Sequence, residues 1–334
     1  MATVNANFPS LVDVTTRLDP DGSLAAVAEL LTQTNEILMD MPFFEGNLPT
    51  GHKGTVRTSL PAAAWRLLNQ GVPAGKSTTA QIVDSCGILE NYSVVDEVLY
   101  NLNGQSAEWR LSEDVAFIEG INQQMATSMF YGNSSLNPEQ PQGFAPRYST
   151  RNVANAESAQ NVLHGGGSST DNTSIWLIVW GKNTCHGIYP KGSKAGLQVE
   201  DLGKKTLFDA AGGRYQGYET QYQWMPGYHV RDWRYLVRIA NIDVSDLSTV
   251  SPANLIRLMI RAINLLPSGA RTIGRPVFYM NRTVKSWLEI QTVENPRLGL
   301  HELKTGDGEE RTAFRGIPIS VCDAILTTEA TVPA

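Results

Sequence analysis

Cysteine is scarce, and its spacing builds nothing. Cys86, Cys185 and Cys322 are the only three in 334 residues, and no two form a C-x-x-C pair. An odd, scattered set reads as reduced thiols, not as a disulfide framework or a zinc site. Charge is scarce as well. Asp, Glu, Lys and Arg make up 18% of the chain and leave a net charge of −6. A free nucleic-acid binder carries a basic face, so this balance argues against that class. Long apolar runs are missing: the longest, Ile175 to Trp180, is far too short to span a bilayer. Met1 to Pro9 has no basic region followed by an apolar core, so no secretory leader is expected. N-x-S/T triplets such as Asn281-Arg-Thr283 then have no glycosylation context.

Signatures of catalysis are missing too. Gly71 to Ser77 looks like a phosphate loop, but Gln70 stands where its first glycine must be. His164-Gly-Gly-Gly167 matches the oxyanion loop of some esterases, yet no G-x-S-x-G elbow accompanies it. His52, His164, His186, His229 and His301 are scattered without metal-ligand spacing, and each reads as an ordinary hydrogen-bonded side chain. No catalytic residue, no cofactor and no metal site is assigned.

What is present begins with a hairpin. Lys53–Ser59 is a rising strand and Thr79–Asp84 a falling one, rich in extended-favouring threonine and valine but without a wide apolar face. Such a ribbon is marginal alone in water. Its tip, Ala62 to Val72, nevertheless carries Trp65, Leu67 and Leu68. Loop tips are normally small and polar, and burying each of these side chains contributes about 1.5–3 kcal/mol. The tip is expected to rest on something, and the ribbon is long enough to reach another subunit. A hairpin folded back on its own chain is the plainer alternative. Ser106 to Tyr131 follows as one long helix, with Leu111, Val115, Ile118, Ile121, Met125 and Met129 on a single stripe. Ser106 is a candidate cap, and Gly132-Asn133 a candidate stop.

An outreaching hairpin followed by a long spine helix resembles the major capsid proteins of tailed bacteriophages, with the Hong Kong 97-type fold. The wording of Trp65 to Val72, Lys76 to Thr79, Cys86 to Leu99 and Arg315 to Leu326 carries the resemblance. It implies an α+β chain in five parts: an N-terminal arm (1–42), an extended β-hairpin loop (43–90), a peripheral domain with the spine helix 106–131 and interface loops (91–245), an axial domain (246–315), and a C-terminal strand returning to the peripheral domain (316–334). It implies self-assembly into hexamers and pentamers of an icosahedral virion shell around double-stranded DNA, formed in the host bacterial cytoplasm without sequence-specific DNA binding. The inter-subunit contact residues would be Trp65, Arg66, Leu67, Leu68 and Lys76 at the extended-loop tip. Some relatives crosslink a lysine of this loop to a neighbour's asparagine with the help of a glutamate; Lys76 is the position open to the lysine's part, with no asparagine or glutamate matched to it. Implied partners are a separate scaffolding protein (residues 1–22 being too short for a fused one), a portal, and a cement or decoration protein. The rival functions are an encapsulin-like nanocompartment shell, which shares the fold, and a hydrolase built on the His164 loop.

The rest of the chain is read in order. Ser23 caps a helix from Leu24 to about Leu38, and Glu90 to Leu102 leads as a strand into a turn at Asn101–Gly104. Proline and glycine from Asn133 to Ser174 mark a long interface loop. Ser174–Trp180 is a buried strand, Gly187–Gly192 a turn, and Gly203–Gly217 a projecting loop. Tyr218–Asp243 is mostly extended, with aromatics interleaved by Arg231, Arg234 and Arg238. That pattern suits a single-strand nucleic-acid platform, but in an acidic chain it better suits protein contacts. Ser251 caps a helix to Leu266, Arg275–Met280 is a strand, Asn281 caps a helix to Glu294, and Ile317–Leu326 is a closing strand.

Overall fold

The computed structural model describes residues 32–101, 106–209, 211–249, 252–294, 301–304 and 310–334, with the side chains of 106–113, 294, 301–304 and 310 excepted. In chain order, α1 (Ile37–Asp40) and β1 (Phe43–Glu45) lead to the hairpin β2 (Gly51–Ser59) and β3 (Thr78–Ser85). Next come β4 (Leu89–Asp96), α2 (Glu97–Asn101), the long α3 (Ser106–Tyr131) and α4 (Phe144–Arg147). Then follow β5 (Val162–His164), β6 (Asn172–Trp180), β7 (Cys185–Tyr189), β8 (Gln198–Phe208), β9 (Arg214–Trp224), β10 (Gly227–Val230) and β11 (Leu236–Asp243). The last part holds α5 (Leu255–Leu265), α6 (Ala270–Ile273), β12 (Arg275–Met280), α7 (Arg282–Glu294), β13 (His301–Lys304), β14 (Glu310–Phe314) and β15 (Ile317–Val321).

The centre of the fold is β6. It lies in a sheet ordered β1-β7-β6-β12-β15-β14-β13, with β11 antiparallel on it as well. All nine of its residues are buried. Its side chains alternate between two cores, as a pleated strand requires. Trp176, Ile178 and Trp180 pack with Ile121, Met125, Met129 and Phe130 of α3 and with Phe144. Ile175 and Leu177 pack with Leu255 and Met259 of α5 and with Val284 and Leu288 of α7. Helices on both faces are why this strand reads as unbroken apolar sequence.

The α3 helix has the expected bounds, but its stripe is not buried along its length. Ile121, Met125 and Met129 are in the core, whereas Val115 is 44% exposed, and Leu111 lies outside the described side chains. The Leu24–Leu38 helix is corrected where it can be seen. Residues 24–31 lie outside the described set, and Thr32–Thr34 are not helical. Tertiary pairing wins there: Asn35 bridges Cys322, and its Oδ1 accepts from the Ala324 amide at 3.1 Å. The turn expected at Asn101 is preceded by a helical turn, α2. Residues 133–174 are not simply a surface loop, because Phe144, Tyr148 and Asn161 are buried in the chain's own core. Gly187–Tyr189 belongs to β7 rather than to a turn.

Gly203–Gly217 is a hairpin, not a loop. β8 and β9 pair from Gln198↔Gln223 out to Phe208↔Arg214. Its turn is closed by Asp209, whose Oδ1 accepts from the Ala211 and Gly213 amides at 2.9 and 2.7 Å. The β12 strand and the Asn281 cap fall where the sequence puts them, with Asn281 Oδ1 accepting from the Thr283 amide at 3.0 Å. The cap of α5 does not: Asn254 accepts from the Arg257 amide at 2.8 Å, three residues beyond the expected Ser251. Asn254→Ala should therefore cost about 1 kcal/mol, read as a small fall in the denaturation midpoint; no change would mean that the cap bond is dispensable. The closing strand stops at Val321. The chain beyond it does meet the end of α3, where the Leu326 amide donates to Tyr131 Oη at 2.9 Å.

Candidate assembly surface

The β2–β3 ladder runs from Gly51↔Ser85 to Ser59↔Thr78. Nine extended residues reach about 30 Å. Outer rungs are held by hydroxyls: Thr58 and Ser59 meet Thr78 Oγ1 at 2.8 and 2.7 Å. Residues 60–77 then form a tip with no regular structure beyond one turn. In that turn the Gln70 amide donates to Leu67 O at 3.2 Å, and Asn69 takes φ 64°, a left-handed conformation that asparagine tolerates. Trp65 is 104% exposed and Leu68 92%, and Leu60, Leu67 and Val72 are exposed beside them. Arg66 and Lys76 are exposed as well. The hairpin is thus not folded back on its own chain. An apolar group displayed at the end of a polar ribbon is unusual for a protein that stays single.

At its other end the hairpin is rooted on a cluster that the sequence did not reveal. His52 and Asp84 face each other across β2 and β3, and His186 and His229 across β7 and β10. The ring centroids lie 4.6 Å apart for His52–His229, 5.3 Å for His186–His229 and 6.0 Å for His52–His186. Phe44 meets His186 edge-on at 5.1 Å. Asp84 Oδ2 is 2.7 Å from His229 Nδ1, and Arg147 Nη2 donates to Asp84 Oδ1 at 2.8 Å. Burial pushes the Asp84 carboxyl up, but the His229 hydrogen bond and the Arg147 guanidinium together bring it below its ordinary value. Burial, then the neighbouring His229, pushes His186 down to about 4, against the Gly181 carbonyl that its Nδ1 faces. The same two causes lower His52. Among the described residues, no His, Cys, Asp or Glu group is arranged to hold a metal ion. The reading of these three histidines as unrelated side chains is corrected: positions 52, 186 and 229 obey no spacing rule, and only the sheet topology joins them.

Gly54 shows how tightly the root is packed. A Cβ there would lie 2.7 Å from His229 Cε1 and Nε2. The ring cannot retreat without losing Asp84. Gly54→Ala should cost about 1–3 kcal/mol, as overpacking does, and lower the thermal midpoint of the unassembled chain; an unchanged midpoint would mean that the ring moves freely.

Most of the aromatic–arginine stretch faces inward, not toward a nucleic acid: Tyr222, Trp224, Tyr228, Tyr235 and Arg238 are buried inside the chain, whereas Arg231 and Arg234 are exposed. His164 Nδ1 accepts from Asn241 Nδ2 at 3.2 Å. No helix among the described residues is long and apolar enough to cross a membrane.

Comparisons with known proteins agree with this architecture. A family model described as "Major capsid protein GP7" matches residues 19–333. A solved chain of bacteriophage Epsilon15 is similar over 100% of both chains, with 31% identity and a TM-score of 0.80. A chain from the capsid of a native GTA particle has 10% identity and a TM-score of 0.47, over 67% of this chain and 95% of that one. A chain from the bacteriophage JBD30 capsid has 9% identity and a TM-score of 0.46, over 90% and 95%. The comparison with curated proteins found no match. The family match and the Epsilon15 likeness both run through hairpin, spine helix and the two cores, so the fold is the Hong Kong 97-type capsid fold, and the chain belongs to the major capsid protein GP7 family, as a structural protein of a phage capsid shell.

Proposed function

We propose that copies of this chain form the hexamers and pentamers of an icosahedral shell enclosing double-stranded DNA, with Trp65, Arg66, Leu67, Leu68 and Lys76 lying over a neighbouring subunit. The observation that carries the reading is the exposure of Trp65 and Leu68 at the end of a polar ribbon. In this reading 1–42 is an arm, 43–90 the reaching loop, 91–245 the peripheral domain, 246–315 the axial domain that meets its copies at the capsomer centre, and 316–334 the return to the periphery. Many weak contacts, repeated around a closed surface, make the shell stable. The chain plays no catalytic part. A scaffolding protein and a portal act during assembly in the host bacterial cytoplasm.

A net charge of −6 suits a wall that encloses DNA without gripping it. The isolated protein should bind DNA weakly in physiological salt; tight sequence-specific binding would count against the reading. The direct test is negative-stain electron microscopy of the protein expressed with and without its neighbouring genes. Closed particles, or rings of five and six subunits, are expected. Discrete monomers in both preparations would overturn the reading.

A further inference from the structure

We propose that His52, Asp84, His186 and His229 form an acid-operated latch, which fastens the root of the β2–β3 hairpin to the β7–β10 strand pair at neutral pH and releases it on acidification. The hairpin has little else to hold it. Within β2 and β3 only Gly51, Gly54 and Asp84 are buried, all in the half nearest the body. Asp84 and the His229 ring against Gly54 are therefore the centre of the attachment.

The charged and titratable groups around the cluster are few. His52 comes from β2, Asp84 from β3, His186 from β7, His229 from β10 and Arg147 from α4. Arg231 follows β10, with Nη1 donating to Asn183 Oδ1 at 2.9 Å. The Cys86 and Cys185 thiols stay uncharged, since burial pushes both up, Cys86 to about 11. At neutral pH the Asp84 carboxylate thus faces two guanidinium groups and the uncharged rings of His52 and His186. Protonating those two rings would set four cations around one carboxylate.

Geometry makes that state worse. His229 Nδ1 faces Asp84, and its Nε2 is buried, lies against Gly54 and has no hydrogen-bond partner; His52 Nδ1 is likewise buried and unpartnered. A charged N–H there is a buried donor with nothing to receive it. Opening the root lets water reach it. The two cores beside β6 contain no part of the cluster, so the hairpin root is the element that gives way.

The sign follows from linkage. Burial holds His52 below 6.5 and His186 at about 4 while the root is closed. Opening returns both toward 6.5, so the open form binds more protons between pH 6.5 and 4. The closed root is fully stable above 6.5 and loses stability as pH falls through that window, with up to about a 100-fold rise in the opening constant per pH unit for two histidines. Asp84 adds to the loss only below 3.8, outside the window. The latch is a property of one chain. Its consequence for the shell, that acid frees the tip from its aim, rests on the proposed neighbour contact.

The test is hydrogen exchange with mass spectrometry on the unassembled full chain at pH 7.5, 6.5, 5.5 and 4.5, corrected for intrinsic rates with an unstructured standard. Peptides covering 48–58 and 80–87 should exchange at least about tenfold faster at pH 4.5 than at 7.5, while β6 peptides stay protected. His52→Gln and the double variant His52→Gln/His186→Phe both leave the His229–Asp84 bond in place. The single change should remove part of the rise, and the double change nearly all of it. If the double variant does not melt cooperatively, the single variant decides. Root peptides that track β6 down to pH 4.5, or variants that open like the wild type, would overturn the latch. Neither result bears on whether the tip contacts a neighbour, which a tip variant tests separately.

Discussion

Replacing Trp65 and Leu68 together with alanine will leave the unassembled chain folded and raise the concentration at which shells form by about 100-fold or more. Both side chains already stand in water in the single chain, so truncating them removes no contact from its fold. Its melting temperature should shift by no more than about 1 °C, as for surface changes generally. In the proposed shell each subunit would give one tip to a neighbour. Burying a large apolar side chain contributes about 1.5–3 kcal/mol, so the pair is worth roughly 4 kcal/mol per subunit. At about 1.4 kcal/mol per factor of ten, 100-fold is a modest expectation. Light scattering against protein concentration measures the threshold, and thermal denaturation of the unassembled fraction measures the fold. Equal losses in both would make Trp65 and Leu68 part of a core that the single chain does not display. An unchanged threshold would mean that the tip carries no contact.

What was legible in the sequence was local or two-faced. The ribbon and tip could be read because polar strands leading to Trp65 and Leu68 contradict what an isolated hairpin needs. The bounds of α3 could be read from a repeat of three and four, and β6 from six apolar residues in a row. Proline and glycine misled between Asn133 and Ser174: they mark turns but say nothing of burial, and Phe144 and Tyr148 between them go inside. Gly203–Gly217 misled for a related reason, since Gly212 (φ 83°) serves one tight turn while its flanks are long strands. The histidine cluster was illegible in principle. Two of its members face each other across one strand pair and the third across another, and no pattern along the chain records that the hairpin root stands over β7 and β10. Arg231, Arg234 and Arg238 read as one interleaved set, and nothing along the chain records that Arg238 alone of the three is buried.

That arginine leads to the largest expected loss of stability. Arg238 Nη2 donates to Glu329 Oε2 at 2.8 Å, with side chains 5% and 3% exposed. Its Nη1 donates to Tyr148 O at 3.0 Å, its Nε to Ser174 Oγ at 3.1 Å, and its guanidinium lies 5.0 Å from the Trp176 ring centroid. Glu329 also accepts from Ser174 Oγ, and its Oε1 accepts from Tyr131 Oη at 2.5 Å. Burial first, and then the Glu329 carboxylate, push the Tyr131 phenol far above its ordinary value, so it stays a donor. One ion pair thus ties the C-terminal segment to β6, to β11 and to the end of α3. Arg238→Met strands a buried carboxylate, and Glu329→Ala strands a buried guanidinium. Each should cost about 3–5 kcal/mol, the usual result of removing one partner of a buried pair. The double variant should cost clearly less than the sum, because it leaves no stranded charge. Chemical denaturation of the unassembled chain measures all three. Two small, additive losses would show that water reaches the pair and that the C-terminal segment is held by Val332 and Ile325 in the core rather than by charge.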